Sequence, residues 1–348
     1  MTADRTQSHL TVLIAVLLFA ACMRVGSTVF APVAFALFTI ALAWPMQSAM
    51  QRRLPKILAL AISILVVLGV FLGFGLMVAW AFGRVGRWLI AEAALFQAIY
   101  EQVTVWLEGH GVAVAGLWSE HFNVGFMIRT IQDITGRLNT TLSFWLVVFV
   151  YVLLGLLDVD DVKRNIQALH NPVLSRMLIE GSAETGRKIR KYMIVRTQMS
   201  VLTGVLVWLF AKVVGLPLAT EWGVIAFILN YIPFIGPFVA TILPTLLAMA
   251  LFATWQETIL VFAVLNLVQF VVGSYIEPRV SGSAVSMLPS VVLFSVFFWT
   301  YMWGLFGAFI GVPVTIAILT YCAYHPASRW LAVLLGMPEK APAEDAGT

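Results

Sequence analysis

Three prolines and a glycine interrupt one of the most apolar stretches of the chain, ILNYIPFIGPFVATILP at residues 228–244. A proline has no N–H for the carbonyl four residues earlier, so in a helix Pro233 would free the carbonyl of Leu229 and Pro237 that of Pro233. In hydrocarbon a freed carbonyl needs another partner. A break of this kind can therefore bind a polar solute or an ion, although a plain proline kink held by neighbouring helices is the simpler alternative.

Polar side chains beside this break extend the candidate site. Asn230 adds an amide, and Gly236 keeps the chain thin between the two prolines. Asn266 and Gln269 stand three residues apart in a later apolar run, close enough to share one helix face. Amides at such positions serve either as interhelical hydrogen bonds or as part of a solute path.

A second polar stretch follows at residues 275–292, YIEPRVSGSAVSMLPSVV. Its Glu277 and Arg279 form either an interfacial ion pair or groups that gate or line a path, because ionisable residues near membrane depth are functional candidates. Ser286 and Pro289 end the polar turn that leads into the next apolar run. We include all four residues in the candidate transport path.

The composition defines the setting of these residues. Of the 348 residues, 61% are hydrophobic and only 11% are charged, whereas soluble domains have about 25% charged residues. This predicts an all-α integral membrane protein of about eight transmembrane helices, with interrupted or re-entrant segments in the C-terminal half. The net charge is +4, and the lysine and arginine residues lie mainly in the loops between spans. This distribution indicates membrane topology rather than nucleic-acid binding. The apolar segments are 10–25, 29–46, 57–82, 142–157, 193–217, 223–252, 257–276 and 287–323.

Charge and periodicity divide the chain into five regions. Positive charge marks the cytoplasmic side, so 158–192 and both termini are placed inside and 83–140 outside. The regions are three N-terminal membrane helices (1–82), an extracytoplasmic amphipathic helical insert (83–140), a span plus a basic cytoplasmic helical segment (141–192), a C-terminal transport core with broken helices (193–325) and a cytoplasmic tail (326–348).

Glycine pairs at four-residue spacing predict close helix packing at Gly69 with Gly73 and at Gly307 with Gly311. The stretch WGLFGAFIGVPVTIAI at 303–318 also repeats the glycine-then-proline order of the first break, which hints at paired interrupted helices. The five histidines are scattered, and neither a metal-ligand spacing nor a P-loop is visible. We therefore expect no metal, no cofactor and no enzymatic activity.

Four stretches carry a resemblance to a known family: MQRRLPKILALAISIL at 50–65, residues 192–237 around the first break, residues 275–292, and GLFGAFIGVPVTIAIL at 304–319. In them the chain resembles the autoinducer-2 exporter (AI-2E) family of bacterial transporters, also called permease-like. The resemblance implies a multi-pass inner-membrane transporter of about eight spans that assembles as a homo-oligomer, a pentamer. Family members are linked to export of the quorum signal autoinducer-2 or to exchange of sodium or lithium for protons.

The chain departs from the family at two places. Val280 to Ser283 replace a common methionine-glycine pair and the longer polar side chain after it, and Ser286 to Pro289 stand where a leucine-histidine-proline run is frequent. The family name is therefore a poor guide to the substrate.

Three functions remain open from the sequence. The first is a secondary transporter that moves a small polar solute, such as an autoinducer-2-like signal, by alternating access. The second is a Na⁺(Li⁺)/H⁺ antiporter in which Glu277 or Glu257 exchanges protons. The third is a membrane scaffold whose insert at 83–140 binds a partner. Membrane lipid is a partner in every case.

Overall fold

The computed structural model describes residues 11, 14–15, 18–92, 108–109, 138–252, 254–281 and 287–336. Six of its helices are long and apolar enough to cross a membrane, and two shorter helices are equally apolar. No strand occurs among the described residues. The chain is therefore an all-α multi-pass membrane protein, as the composition predicts. The start of the predicted span at 10–25 and most of the predicted insert at 83–140 lie outside the described residues.

Most helices follow the predicted apolar segments, but the predicted segment 223–252 is two short helices with a break between them. Helix α2 continues to Ala91, past the expected end of its span at 82. In order, the elements are α1 (Ser27–Gln51), α2 (Lys56–Ala91), α3 (Leu138–Gln167), α4 (Pro172–Val214), α5 (Ala219–Leu229), α6 (Ile235–Leu251), α7 (Trp255–Phe270), a π-helix (Val271–Ile276), α8 (Glu277–Ser281), α9 (Pro289–Tyr324) and α10 (Arg329–Leu334).

The chain forms two compact units. The first unit consists of residues up to 67, residues 144–193 and residues from 282 onward; the second consists of residues 68–143 and 194–281. Each unit thus combines segments that are distant in sequence, and helices α2 and α4 each contribute to both.

In the first unit, polar side chains bond to helix carbonyls at buried positions. Pro45 lies inside α1 and leaves the carbonyl of Ala41 without its helical donor. The Nη1 of Arg190 in α4 donates to this carbonyl at 2.9 Å. Gln47, which is fully buried, donates its amide to the carbonyl of Leu156 in α3 at 3.1 Å. The proline is thus compensated by an arginine from a neighbouring helix.

Replacing Arg190 by glutamine is expected to lower the free energy of unfolding by about 2 kcal/mol, because the Ala41 carbonyl loses a charged donor. In a Pro45→Ala background the helix supplies its own N–H, so the same replacement should cost less than half as much. Thermal unfolding of the four purified variants in detergent measures both effects. An equal cost in the two backgrounds would show that Arg190 does not compensate for the proline.

Helix α9 in the first unit is interrupted at Gly304, whose φ of 64° and ψ of −143° lie outside the helical region. The guanidinium of Arg24 donates to the carbonyl of Tyr301, and at 3.3 Å to that of Met302, just before the break. A Cβ at Gly307 would overlap the carbonyl of Trp299, and one at Gly311 would lie 3.0 Å from the Cβ of Trp299. Both glycines therefore lie close to the first half of their own helix, across the break at Gly304.

An aromatic cluster joins α1, α3 and α9 in the first unit. Phe35, which is 3% exposed, meets Trp145 edge-on with ring centroids 5.3 Å apart and stacks on Phe309 at 6.0 Å. Phe144 stacks on Phe306 at 3.7 Å. Such ring pairs add to the stabilisation from burial.

The core of the second unit is built by apolar side chains from α2, α4, α5, α6 and α7. Gly204 of α4 and Gly223 of α5 bring two backbones together, since a Cβ on either would lie 2.8 Å from the carbonyl oxygen of the other. At Gly69 and Gly73 no described residue lies within 4 Å of an added Cβ, so the close packing expected there stays a prediction. The fully buried core includes Ala81, Val207, Ile225, Ala226, Ala248, Val261 and Leu265.

Candidate functional site

The predicted break lies between α5 and α6 in the second unit. Helix α5 ends at Leu229, and Asn230 caps it with its N–H on the carbonyl of Ala226 at 3.0 Å. The chain then turns, and Phe234 takes a φ of 62°, which few residues other than glycine adopt. Helix α6 begins at Ile235. Two short apolar helices joined by a tight turn therefore replace a continuous span.

The turn changes which carbonyls are available. The Leu229 carbonyl accepts the N–H of Ile232 at 2.9 Å, and the Pro233 carbonyl accepts that of Ile235 at 2.7 Å. The prediction that both are freed on one helix face is wrong, because the chain reverses here instead of continuing as a helix. Pro244 does lie inside α6, where it removes the donor for the Ala240 carbonyl.

Gly236 allows two backbone segments to pack closely at the turn. A Cβ at this position would overlap the carbonyl oxygen of Leu229 and lie 2.6 Å from its carbonyl carbon. Only glycine allows the start of α6 to approach the end of α5 so closely. The thin chain expected at Gly236 thus serves close packing of α6 against the end of α5.

Two side chains at the break bond to α4 within the same unit. Asn230, which is 6% exposed, donates its amide to the hydroxyl of Ser200 at 3.2 Å. The hydroxyl of Tyr231 donates to that of Thr197 at 3.0 Å. Phe74 meets the ring of Tyr231 edge-on with centroids 5.8 Å apart. The break thus presents hydroxyl and amide groups beside the apolar core of this unit.

A buried ion pair lies one helical turn before Ser200 on α4. The Nη1 of Arg196 donates to both carboxylate oxygens of Glu277, at 3.1 and 2.9 Å, and the Arg196 side chain is 8% exposed. Glu277 follows directly on the π-helix Val271–Ile276, a rare element often found at functional sites. The pair joins α4 to the first residue of α8.

Together these contacts form a polar stripe along α4, which we define as Arg196, Ser200 and Thr203. Their spacing of four and three residues places them on one helix face. The Oγ1 of Thr203, which is fully buried, has no hydrogen-bond partner among the described residues, and neither has the buried Nε2 of Gln269. A small polar molecule could satisfy groups of this kind.

The structure separates two predicted site residues from the stripe. Asn266 is exposed, and its amide bonds back to the carbonyl of Phe262 in its own helix at 2.8 Å. Arg279 does not pair with Glu277; its guanidinium lies over the ring of Tyr275, 3.7 Å from the centroid. Asn266 therefore faces outward. The ion-pair partner of Glu277 is Arg196 rather than Arg279.

The other residues predicted for the transport path are a serine and three prolines, and none of them belongs to the polar stripe. Ser286 lies outside the described residues, and Pro289 is exposed as the first residue of α9 in the first unit. Pro233 is buried in the turn, and Pro237 lies in the first turn of α6, half-buried. No group of three metal-ligating side chains occurs within the described ranges.

Sequence reasoning missed three charged residues of this unit, Arg196, Glu221 and Arg84. Arg196 stands alone in an apolar run, with Ser200 and Thr203 at helical spacing after it, and this pattern could have identified it. Glu221, which is 4% exposed in the first turn of α5, pairs with Arg84 of α2 at 2.9 Å. Neither ion-pair partner is predictable from spacing, because each lies on a distant helix.

Comparisons with known proteins place the chain among transporters. The AI-2E family transporter model matches residues 13–325. The AI-2 transport protein TqsA of Escherichia coli K12 is 25% identical over 316 residues, 90% of this chain and 91% of its own length. YhhT of the same organism, named as a candidate transport protein, is 32% identical over 208 residues, 60% of this chain and 58% of its own length. The family model spans nearly the whole chain, so the chain belongs to the AI-2E family of transporters.

Proposed function

We propose that this protein is a secondary transporter that moves a small, neutral, hydrogen-bonding solute across the membrane by alternating access. The observation that carries the proposal is the polar stripe of α4 facing the broken helix, where Asn230 bonds to Ser200 and the Thr203 hydroxyl has no partner among the described residues. Hydroxyl and amide groups both donate and accept, so they suit a hydroxylated solute.

The charges of the second unit favour a neutral solute. Arg196 is neutralised by Glu277, and Glu221 by Arg84, so each buried charge in these pairs has a counter-ion. At the stripe a charged solute would meet an ion pair of zero net charge and would lose its hydration in a low-dielectric interior. The name of the relative TqsA, an AI-2 transport protein, agrees with a small signal of this kind.

Replacing Asn230 by leucine is expected to reduce solute flux at least tenfold, because the amide at the break and its bond to Ser200 are lost. The matched control is Asn266→Leu, which removes an exposed amide that bonds only within α7. Counterflow of autoinducer-2 and other small polyols into proteoliposomes measures the flux. Size-exclusion chromatography checks that both variants are folded. Equal flux for the two would show that the break between α5 and α6 is not part of the transport path.

The antiporter alternative has less support in the described structure. Glu257 is exposed in the first turn of α7, and Glu277 is held by Arg196. Proton-coupled exchange normally uses a titratable group at membrane depth. A pH jump in proteoliposomes with sodium and then lithium tests the alternative, and cation-dependent proton movement would favour it over the neutral-solute proposal.

We propose further that the protein resides in the bacterial inner membrane with both termini in the cytoplasm and works as a homo-oligomer, a pentamer. The family resemblance supports the assembly, and the cations of 158–192 support the orientation. Light scattering of the protein in detergent gives the copy number. Reporter fusions at each terminus give the orientation.

A further inference from the structure

The second unit carries a groove that the transport site does not use. Its volume is about 310 Å³, and it lies between α2, α4 and α5. Thr220 and two glycines complete a lining that is otherwise apolar. The apolar side chains of the lining are Met77, Val201, Val205, Trp208, Val224 and Phe227.

The groove exists because its floor has no side chains. Gly204 and Gly223 bring the backbones of α4 and α5 into contact, and a Cβ at Gly223 would lie 2.6 Å from the Cβ of Trp208. Larger side chains form the walls of the groove. Two of them are exposed at the surface, Val205 at 49% and Trp208 at 36%. Among the described residues the groove is therefore open along these walls.

The groove follows α4 from the interior of the span toward its end. Val201 to Trp208 covers roughly 10 Å of helix, and Lys212 lies one turn beyond Trp208, roughly 16 Å from Val201. Helix α4 ends at Val214, and Gly215 with its φ of 76° reverses the chain there. This length corresponds to about half of the ~30 Å hydrocarbon thickness, which is one leaflet.

Positive charge stands at the end of the groove near the helix terminus. The Nζ of Lys212 lies 5.3 Å from the ring centroid of Trp208, a groove residue. Glu221, which follows the groove residue Thr220, is paired with Arg84, whose side chain is 51% exposed. These three charges sum to one positive charge, which complements an anion at that end.

From this arrangement we infer that the groove binds an anionic phospholipid, with one acyl chain along α4 and the phosphate beside Lys212. The apolar lining extends for ~10 Å between Val201 and Trp208, which suits an acyl chain, and the cation of Lys212 at its end suits a phosphate.

The bound chain would lie next to the transport site. Phe227 forms one wall of the groove, and its ring meets that of Tyr231 edge-on with centroids 5.5 Å apart. Tyr231 in turn bonds to Thr197 of α4. The lipid thus supports the outer side of the residues that hold the break, whatever solute is transported.

Quenching of tryptophan fluorescence by lipid brominated on its acyl chains tests the inference. The full chain is reconstituted in phosphatidylcholine with a rising fraction of brominated phosphatidylglycerol or brominated phosphatidylcholine. The contribution of Trp208 is the difference between the wild type and Trp208→Phe. We expect half-maximal quenching of this difference at a roughly fivefold lower fraction of phosphatidylglycerol, the preference of one cation for anionic lipid.

Two further variants separate the headgroup contact from the groove. Lys212→Gln should abolish the preference for phosphatidylglycerol. Val205→Phe fills the groove and should reduce quenching of Trp208 by both lipids, whereas Val213→Phe, on an exposed face outside the groove, should not. Equal quenching by both lipids, unchanged in Val205→Phe, would show contact with bulk lipid only and overturn the inference. Absence of quenching by either lipid would show that protein covers the groove, which also overturns it.

Discussion

Replacing Arg196 by glutamine is expected to lower the free energy of unfolding by roughly 3 kcal/mol, because Glu277 would keep its charge in the interior without its counter-ion. Both partners are largely shielded from solvent, with side-chain exposures of 8% and 24%. The variant should also lose transport, since the pair lies one helical turn from Ser200 on the stripe. Thermal unfolding in detergent and counterflow in proteoliposomes measure the two effects.

The double variant Arg196→Met with Glu277→Leu separates stability from function. Apolar replacement of a buried pair is often neutral or stabilising, so the double variant should recover most of the lost stability. Its transport should remain lost if the pair lines the path. Arg279→Gln is the control, because among the described residues that guanidinium stacks on exposed Tyr275 and pairs with no carboxylate. Recovery of transport together with stability would assign the pair a purely structural role.

Replacing Gly236 by alanine is expected to destabilise the protein by about 3 kcal/mol or more and to abolish transport. The added methyl group would overlap the carbonyl of Leu229, and backbone on both sides of the turn leaves little room to adjust. Helices α5 and α6 would have to separate. Solute flux and the thermal unfolding midpoint both report the change.

Gly73→Ala is the matched control for this substitution. A Cβ at Gly73 meets nothing within 4 Å, and alanine is a better helix former than glycine, so this variant should be as stable as the wild type or slightly more stable. Gly307→Ala, which meets the Trp299 carbonyl in the first unit, should resemble Gly236→Ala. If Gly236→Ala behaves like Gly73→Ala, the close approach of α5 and α6 is not required.

The sequence predicts the fold class and the position of the main break, because both depend on local features. Apolar segments of span length indicate membrane helices, and Pro233 and Gly236 interrupt one of them. The path of the backbone through the break is not predictable in the same way. It depends on the positive φ of Phe234, and the carbonyls counted as free in a kinked helix are used in the turn.

The hydrogen-bond and ion-pair partners of the polar site residues are also not predictable from the sequence. Asn230 is correctly expected to be beside the break, but its partner Ser200 comes from another helix. Asn266 and Gln269 share a helix face by spacing, yet spacing alone does not say which side of that helix is buried. Glu277 stands two residues before Arg279, and the tertiary fold gives it Arg196 instead. Long-range packing therefore decides which of the predicted residues meet.

The π-helix before Glu277 makes the number of residues in this segment as important as their identity. A π-helix holds one more residue in its turn than an α-helix, so removal of one residue from Val271–Ile276 would return the segment to α-helical register. Every later side chain would then rotate by about 100°, and Glu277 would leave the face that meets Arg196. An insertion fixed in an ancestral span can thus create a buried ion pair without any new charged residue, and relatives that lack it would need their carboxylate at a neighbouring position.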